Sequence, residues 1–141
     1  MKQFILDTNV LCRHWRRSRK GTLKGKTTAD AESWARNLIR LLETDAIVTP
    51  VAIEFVCGVV DRHEMELSRA YLSVFDLVDR GEIKGPDWML ARQLAERIPR
   101  EAARRDFGDC LIKAIALRLG YEVNTFDEGM PRAASIKRDK S

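Results

Sequence analysis

Four carboxylates in this chain stand where apolar runs begin or end. Asp7 closes Phe4-Ile5-Leu6, and Glu54 is the only charged side chain between Val51 and Val60. Asp109 opens Cys110-Leu111-Ile112, and Asp127 follows Val123-Asn124-Thr125-Phe126. An ionised carboxylate among apolar neighbours is costly unless something neutralises it. Glu54 is therefore expected to be partly withdrawn from water. Two carboxylates ~5 Å apart at an effective dielectric of ~20 repel by roughly 3 kcal/mol, and a helix N-terminus offsets only about 0.3–1 kcal/mol. A set of four then either takes up a proton or binds a cation. Oxygen-only ligands favour a hard ion, Mg²⁺ or Mn²⁺, over zinc. A pair of such ions ~3.5–4 Å apart suits an in-line displacement at phosphorus.

Most of these acids also have a local explanation. Asp7 can cap a helix, Asp109 can pair with Lys113 one turn on, and Asp127 can sit in a turn with Glu128-Gly129. Asp106 is best explained as the N-cap of the helix that Asp109 opens. Glu54 has no comparable alternative, and the joint placement of the four carries the metal-site reading.

The elements that must hold them follow from hydrophobic spacing. Phe4–Leu6 reads as a short strand, with Thr8 or Asn9 capping a helix through Val10-Leu11. Asp30–Glu43 reads as a helix with Trp34, Leu38, Leu41 and Leu42 on one apolar face. Ala46–Thr49 is a second strand, and Pro50 suits the first turn of a helix carrying Glu54 to about Val60. Further helices are expected over Glu64–Phe75, with Leu67, Tyr71, Leu72 and Phe75 inward, and from Pro86, with Met89, Leu90, Leu94 and Ile98 as its stripe. Leu77-Val78 and Ile83 read as short extended pieces. Asp106–Leu119 is a helix stopped by Gly120, and Tyr121–Phe126 is the last strand. Strands alternating with helices predict a layered α/β fold with a short, mostly parallel sheet. Ligands bind beyond the carboxyl ends of such strands. Asp7 and Asp127 lie at strand ends, and Glu54 and Asp109 in first helical turns near the same edge, so all four are expected on one rim.

Composition bounds the class. The chain has 141 residues, 45% hydrophobic and 33% charged, which fits a single globular domain over 1–141. No apolar run is long enough to span a bilayer, and Met1–Asp7 leaves no room for a signal-peptide core; a cytoplasmic protein is expected. Cys12, Cys57 and Cys110 are widely spaced and read as reduced, packed thiols, and His14 and His63 are isolated. The net charge is +4. Arg13, Arg16, Arg17, Arg19, Lys20, Lys24 and Lys26 follow one another with no acid among them. That run, with Gly21 and Gly25, reads as a mobile basic insertion over about 13–28 and a footprint for nucleic acid. A solvated loop without ligand explains it equally well. The basic tail over about 132–141 reads as loose.

Phe4-Ile5-Leu6-Asp7-Thr8-Asn9-Val10-Leu11 resembles the opening motif of PIN-domain nucleases. Glu54 in its apolar helix resembles their second acid, Asp109-Cys110-Leu111-Ile112-Lys113-Ala114 the third, and Thr125-Phe126-Asp127 the fourth. The resemblance covers roughly Lys2 to Met130. It implies a three-layer α/β/α fold and a metal-dependent ribonuclease of single-stranded RNA, most often the VapC-type toxin of a toxin–antitoxin pair. It further implies that Asp7, Glu54, Asp109 and Asp127 hold Mg²⁺ or Mn²⁺ and help water attack the phosphodiester. Thr8, Asn9, Thr125 or Asp106 would orient a carboxylate or water. The basic run would seat the RNA backbone, and an antitoxin and a second copy of the chain would be partners. Cys110, Lys113 and the long basic run depart from the family pattern.

Rival readings fare worse. A phosphatase of the haloacid dehalogenase type needs a second Asp where Asn9 stands, and a receiver domain needs an acidic pair near the first strand. A non-catalytic RNA-binding module suits the basic run but not four acids, which repel RNA unless a metal reverses their charge.

Overall fold

The computed structural model describes residues 3–97 and 106–124. Strand β1 (Gln3–Leu6) leads into α1 (Thr8–Arg19) and α2 (Thr28–Leu42), then β2 (Ala46–Ile47) into α3 (Thr49–Cys57) and α4 (Arg62–Ser73). Strand β3 (Asp76–Leu77) is followed by α5 (Gly85–Ala95), α6 (Phe107–Leu119) and β4 (Tyr121–Asn124). The four strands form one parallel sheet in the order β3-β2-β1-β4. The chain steps outward from β1 to β3, then returns to the other side of β1. Right-handed crossovers in opposite directions place their helices on opposite faces. Helices α1–α4 therefore cover one face and α5–α6 the other, which is the expected three-layer α/β/α arrangement with its switch point between β1 and β4.

The larger face buries Ile5, Leu11, Leu38, Val51 and Leu67 around an aromatic cluster. Trp15 meets Phe55 and Tyr71 edge-on at 5.4 and 5.0 Å, and Phe55 stacks on Tyr71 at 5.3 Å. Such pairs add about 0.5–1.5 kcal/mol beyond burial and lock α1, α3 and α4 together. On the opposite face Leu94, Cys110 and Ala114 join α5 to α6.

Several element readings are corrected by this packing. Helix α1 does not stop near Leu11 but continues to Arg19, so the first half of the basic run is helical rather than a loop. Its cap is Asp7, not Thr8 or Asn9. Leu41 and Met89 are each 66% exposed, because the buried stripes run through Ala31, Ala35, Leu38 and Leu42 and through Leu94. Helix α3 ends at Cys57, and that thiol is exposed. Ile83 lies outside any strand. Ile98, Thr125, Asp127 and the 132–141 tail lie outside the described residues.

Candidate active site

Asp7 is the first residue past β1. Its N–H continues the sheet ladder to the Asn124 carbonyl at 3.0 Å, and its Oδ1 accepts the Thr8 N–H at 2.6 Å. The side chain is 8% exposed. A carboxylate there satisfies an orphan donor of α1 and faces the positive end of its dipole. Capping and site membership are thus compatible for Asp7.

Glu54 requires a correction. It is exposed and lies in the second turn of α3, not the first. Only one side of this nine-residue helix is buried, through Pro50, Val51 and Phe55, and the other side presents Ile53, Glu54 and Cys57 to solvent. An unbroken apolar sequence here does not make an all-round buried helix. The carboxylate is nevertheless held. Its Oε1 accepts the Thr8 hydroxyl. Its Oε2 occupies the space that a Cβ on Gly108 would fill, with Cδ 2.8 Å from that position. Glu54 therefore bridges the N-terminal turns of α1 and α6, and two helix dipoles other than its own act on it.

Asp109 follows Gly108 in the first turn of α6, and its N–H is capped by Asp106 Oδ1 at 2.9 Å. Asp106 has the capping role expected of it. Both side chains are exposed, as is Asn9. The structure thus brings Asp7, Thr8, Glu54 and Gly108 into one chain of contacts, with Asp109 next along α6. Among the described residues, no three His, Cys, Asp or Glu side chains form a group that could hold a metal ion. The fit to a hard cation rests on donor chemistry and on one cradle. Every candidate ligand is oxygen, and Gly108 leaves open the volume where the Glu54 carboxylate rests.

Two buried acids that sequence reasoning passed over hold the helices in place. Asp79, 3% exposed, accepts from the Thr49 N–H (2.8 Å), the Thr49 hydroxyl (2.7 Å) and the Gly81 N–H (3.1 Å). It caps α3, whose own N-cap Val48 has no side-chain donor or acceptor. Asp87, 1% exposed, pairs with Arg118 Nε at 2.7 Å and also accepts the Lys84 N–H. Burial pushes the Asp87 carboxyl up, but Arg118 and the Lys84 N–H outweigh it and hold it below the ordinary value. The pair ties α6, which carries Asp109, to α5. Asp79 follows Leu77-Val78 and Asp87 precedes Trp88-Met89-Leu90, so the run-end signal that singled out the other acids was present here too. Asn124 Oδ1 is likewise buried without a hydrogen-bond partner among the described residues, but it shares the Leu6 face of the sheet rather than that of Asp7.

The basic run is partly pinned. Arg19 pairs with Glu64 at 3.0 Å and donates to the Gly21 carbonyl, Lys26 lies over the Trp34 ring, and Leu23 is 6% exposed. Arg16, Arg17, Lys20 and Lys24 are exposed, and Arg13 is half-buried. The fields of the acids reach this helix. Burial raises the Cys12 thiol, Arg16 lowers it, and Glu54 and Asp7 raise it again. A cavity of about 600 Å³, lined by Val60, Met65 and Arg69 among others, includes none of Asp7, Glu54 and Asp109. No helix among the described residues is long and apolar enough to cross a membrane.

The PIN-domain family profile matches residues 4–136. No curated protein and no solved structure gives a match.

Proposed function

The chain belongs to the PIN-domain family, and on that premise we propose that it is a metal-dependent endoribonuclease acting on single-stranded RNA, such as tRNA or rRNA loops. PIN domains are generally nucleases and typically depend on divalent metal. The observation that carries the reading is the Glu54 carboxylate, held between the Thr8 hydroxyl and the first turn of the helix that bears Asp109.

Asp7, Glu54, Asp109 and Asp127 would hold Mg²⁺ or Mn²⁺. The bound cation supplies the positive charge that lets a phosphodiester approach these acids and be attacked by water. The chain's own residues set the geometry. The Thr8 N–H fixes Asp7, and the Thr8 hydroxyl fixes Glu54, so one residue orients two acids. Arg16, Arg17, Lys20 and Lys24 would contact RNA phosphates, with Arg13, Arg19 and Lys26 shaping the same surface. The exposed cations equally suit an RNA-binding module without turnover. Cleavage of single-stranded RNA by the purified chain with Mg²⁺ or Mn²⁺, abolished by a chelator, separates the two; binding without cleavage would establish the module.

The toxin role extends this reading. An antitoxin arginine or lysine would reach the acids, and its apolar residues would dock beside them. Ile53 on α3, 52% exposed and adjacent to Glu54, suits this, whereas the exposed Leu41 stands near the end of α2 that leads into the amino end of β2. Helix α4, by contrast, turns Glu66, Arg69 and Ser73 outward, so its outer face is polar. A homodimer would set two sites beside one RNA groove. Expression alone should arrest growth, and a co-expressed inhibitor or Asp7→Asn should relieve it. Harmless expression of active enzyme would indicate a housekeeping nuclease instead.

A further inference from the structure

A cavity of about 220 Å³ opens between α1, α3 and α4, away from the acids but joined to them by α1. Thr8, Cys12 and Arg16 are spaced four residues apart and share one face of that helix. Thr8 touches Glu54, and Cys12 and Arg16 line the cavity. The acids thus stand at the Thr8 end of the stripe and the cavity at its Arg16 end. A strand placed with a phosphate at the acids and running along α1 passes over this opening.

The lining is of three kinds. Trp15, Phe55 and Val59 give an apolar, partly aromatic floor, and Arg16 and Arg19 stand as cations on the α1 side. Glu64 and Ser68, one turn apart on α4, supply a polar wall. Ser68 is 1% exposed, and its hydroxyl has no hydrogen-bond partner among the described residues. A buried hydroxyl left unpaired is costly, and such groups call for an explanation. Glu64 already accepts from Arg19, yet a carboxylate offers about four acceptor positions. The volume is below the roughly 300–1,000 Å³ of pockets for drug-sized ligands, which limits the occupant to a single small ring system.

The geometry points to a nucleobase pocket: a base flanking the scissile phosphate enters over Trp15 and Phe55, its edge meets Glu64 and Ser68, and Arg16 takes the adjoining phosphate. This rests on the ribonuclease reading and adds sequence choice to it. A carboxylate beside a hydroxyl favours bases bearing an exocyclic amino group, adenine, cytosine or guanine, over uracil.

The test is equilibrium binding of short oligo(A), oligo(C) and oligo(U) by the full chain in chelator, so that nothing is cut. Wild type should prefer oligo(A) or oligo(C) over oligo(U) by about tenfold, the scale of a hydrogen bond to a charged group. Ser68→Ala should weaken oligo(A) and oligo(C) binding by about 3- to 10-fold, the scale of a neutral hydrogen bond, with an unchanged or raised Tm. Arg16→Gln should weaken all three RNAs alike. Equal binding of the three by wild type, or undiminished binding of oligo(A) and oligo(C) by Ser68→Ala, means that no base edge reaches the hydroxyl, and the pocket is refuted. RNA binding in either case leaves the nuclease reading standing. No binding of any RNA by wild type in chelator overturns the pocket alone; the nuclease reading then falls only if RNA also stays uncut once Mg²⁺ or Mn²⁺ is added.

Discussion

The residue-scale account turns on Glu54 and Gly108, which contact each other across 54 positions of sequence. Asp7→Asn and Glu54→Gln should each reduce RNA cleavage at least about 10³-fold, or ~4 kcal/mol of transition-state stabilisation. The fold should persist, because Asn caps α1 as well as Asp does and Glu54 is exposed. Circular dichroism and single-turnover cleavage on the same samples check both halves. Asp106→Asn should do far less, since it retains the cap. Gly108→Ala separates stability from activity. Alanine favours the helix by up to about 1 kcal/mol, and among the described residues the nearest atoms in its way are the flexible end of Glu54. Tm should hold or rise while cleavage falls about 10²-fold, because the carboxylate is pushed off its place. Unchanged activity in Gly108→Ala would show that the bridge across α1 and α6 is incidental. Asp7, Glu54 and the Asp106 cap were legible in sequence, but the Glu54–Gly108 contact was not: Glu54 stood out for its apolar neighbours, while its exposure and its partners depend on which face of a short helix is covered.

At the scale of elements, the sequence disclosed order and type better than extent. Asp7 after Phe4-Ile5-Leu6, Pro50 near the start of α3 and Gly120 after α6 all mark ends that the structure keeps. The continuation of α1 into the basic run was hidden because Arg16, Arg17 and Arg19 read as a loop, whereas Trp15 anchors that turn in the aromatic cluster. Tryptic digestion of the free protein should therefore spare Arg13–Arg19. Early cleavage there would restore the loop reading. Helix α6 owes its position to Asp87 and Arg118, and removing the cation leaves a buried charge. Arg118→Ala should cost about 1–3 kcal/mol, less than the 3–5 of a fully buried pair, since Arg118 remains 25% exposed. The Asp87 carboxyl is held below its ordinary value of 3.8, so its contribution is complete above that pH and is lost as pH falls through the lower, folded value. Asp87→Asn should flatten the acid limb of the stability curve, measured by urea unfolding across that range.

For the molecule as a whole, strand–helix alternation was enough to give the parallel sheet, with Asp7 just past the end of β1. It could not give the crossover back past β1, which makes the β1/β4 boundary the switch point. Charge is distributed to match: acids at that edge, exposed cations farther along α1 and into the segment after it. Neutralising Arg16, Arg17 and Lys20 together should lower the slope of log binding constant against log salt by about 2, from three fewer single-strand phosphate contacts. An unchanged slope would return this surface to solvent. The central claim, that these acids cut RNA with the help of a metal, is tested most directly by a matched cleavage assay. Wild type and Asp7→Asn are loaded with the same single-stranded RNA in chelator, binding is confirmed equal or stronger in the variant, and Mg²⁺ or Mn²⁺ is then added. The account predicts internal cleavage by wild type alone, starting only on metal addition. Equal cleavage by both proteins, or cleavage by wild type before any metal is added, would contradict it.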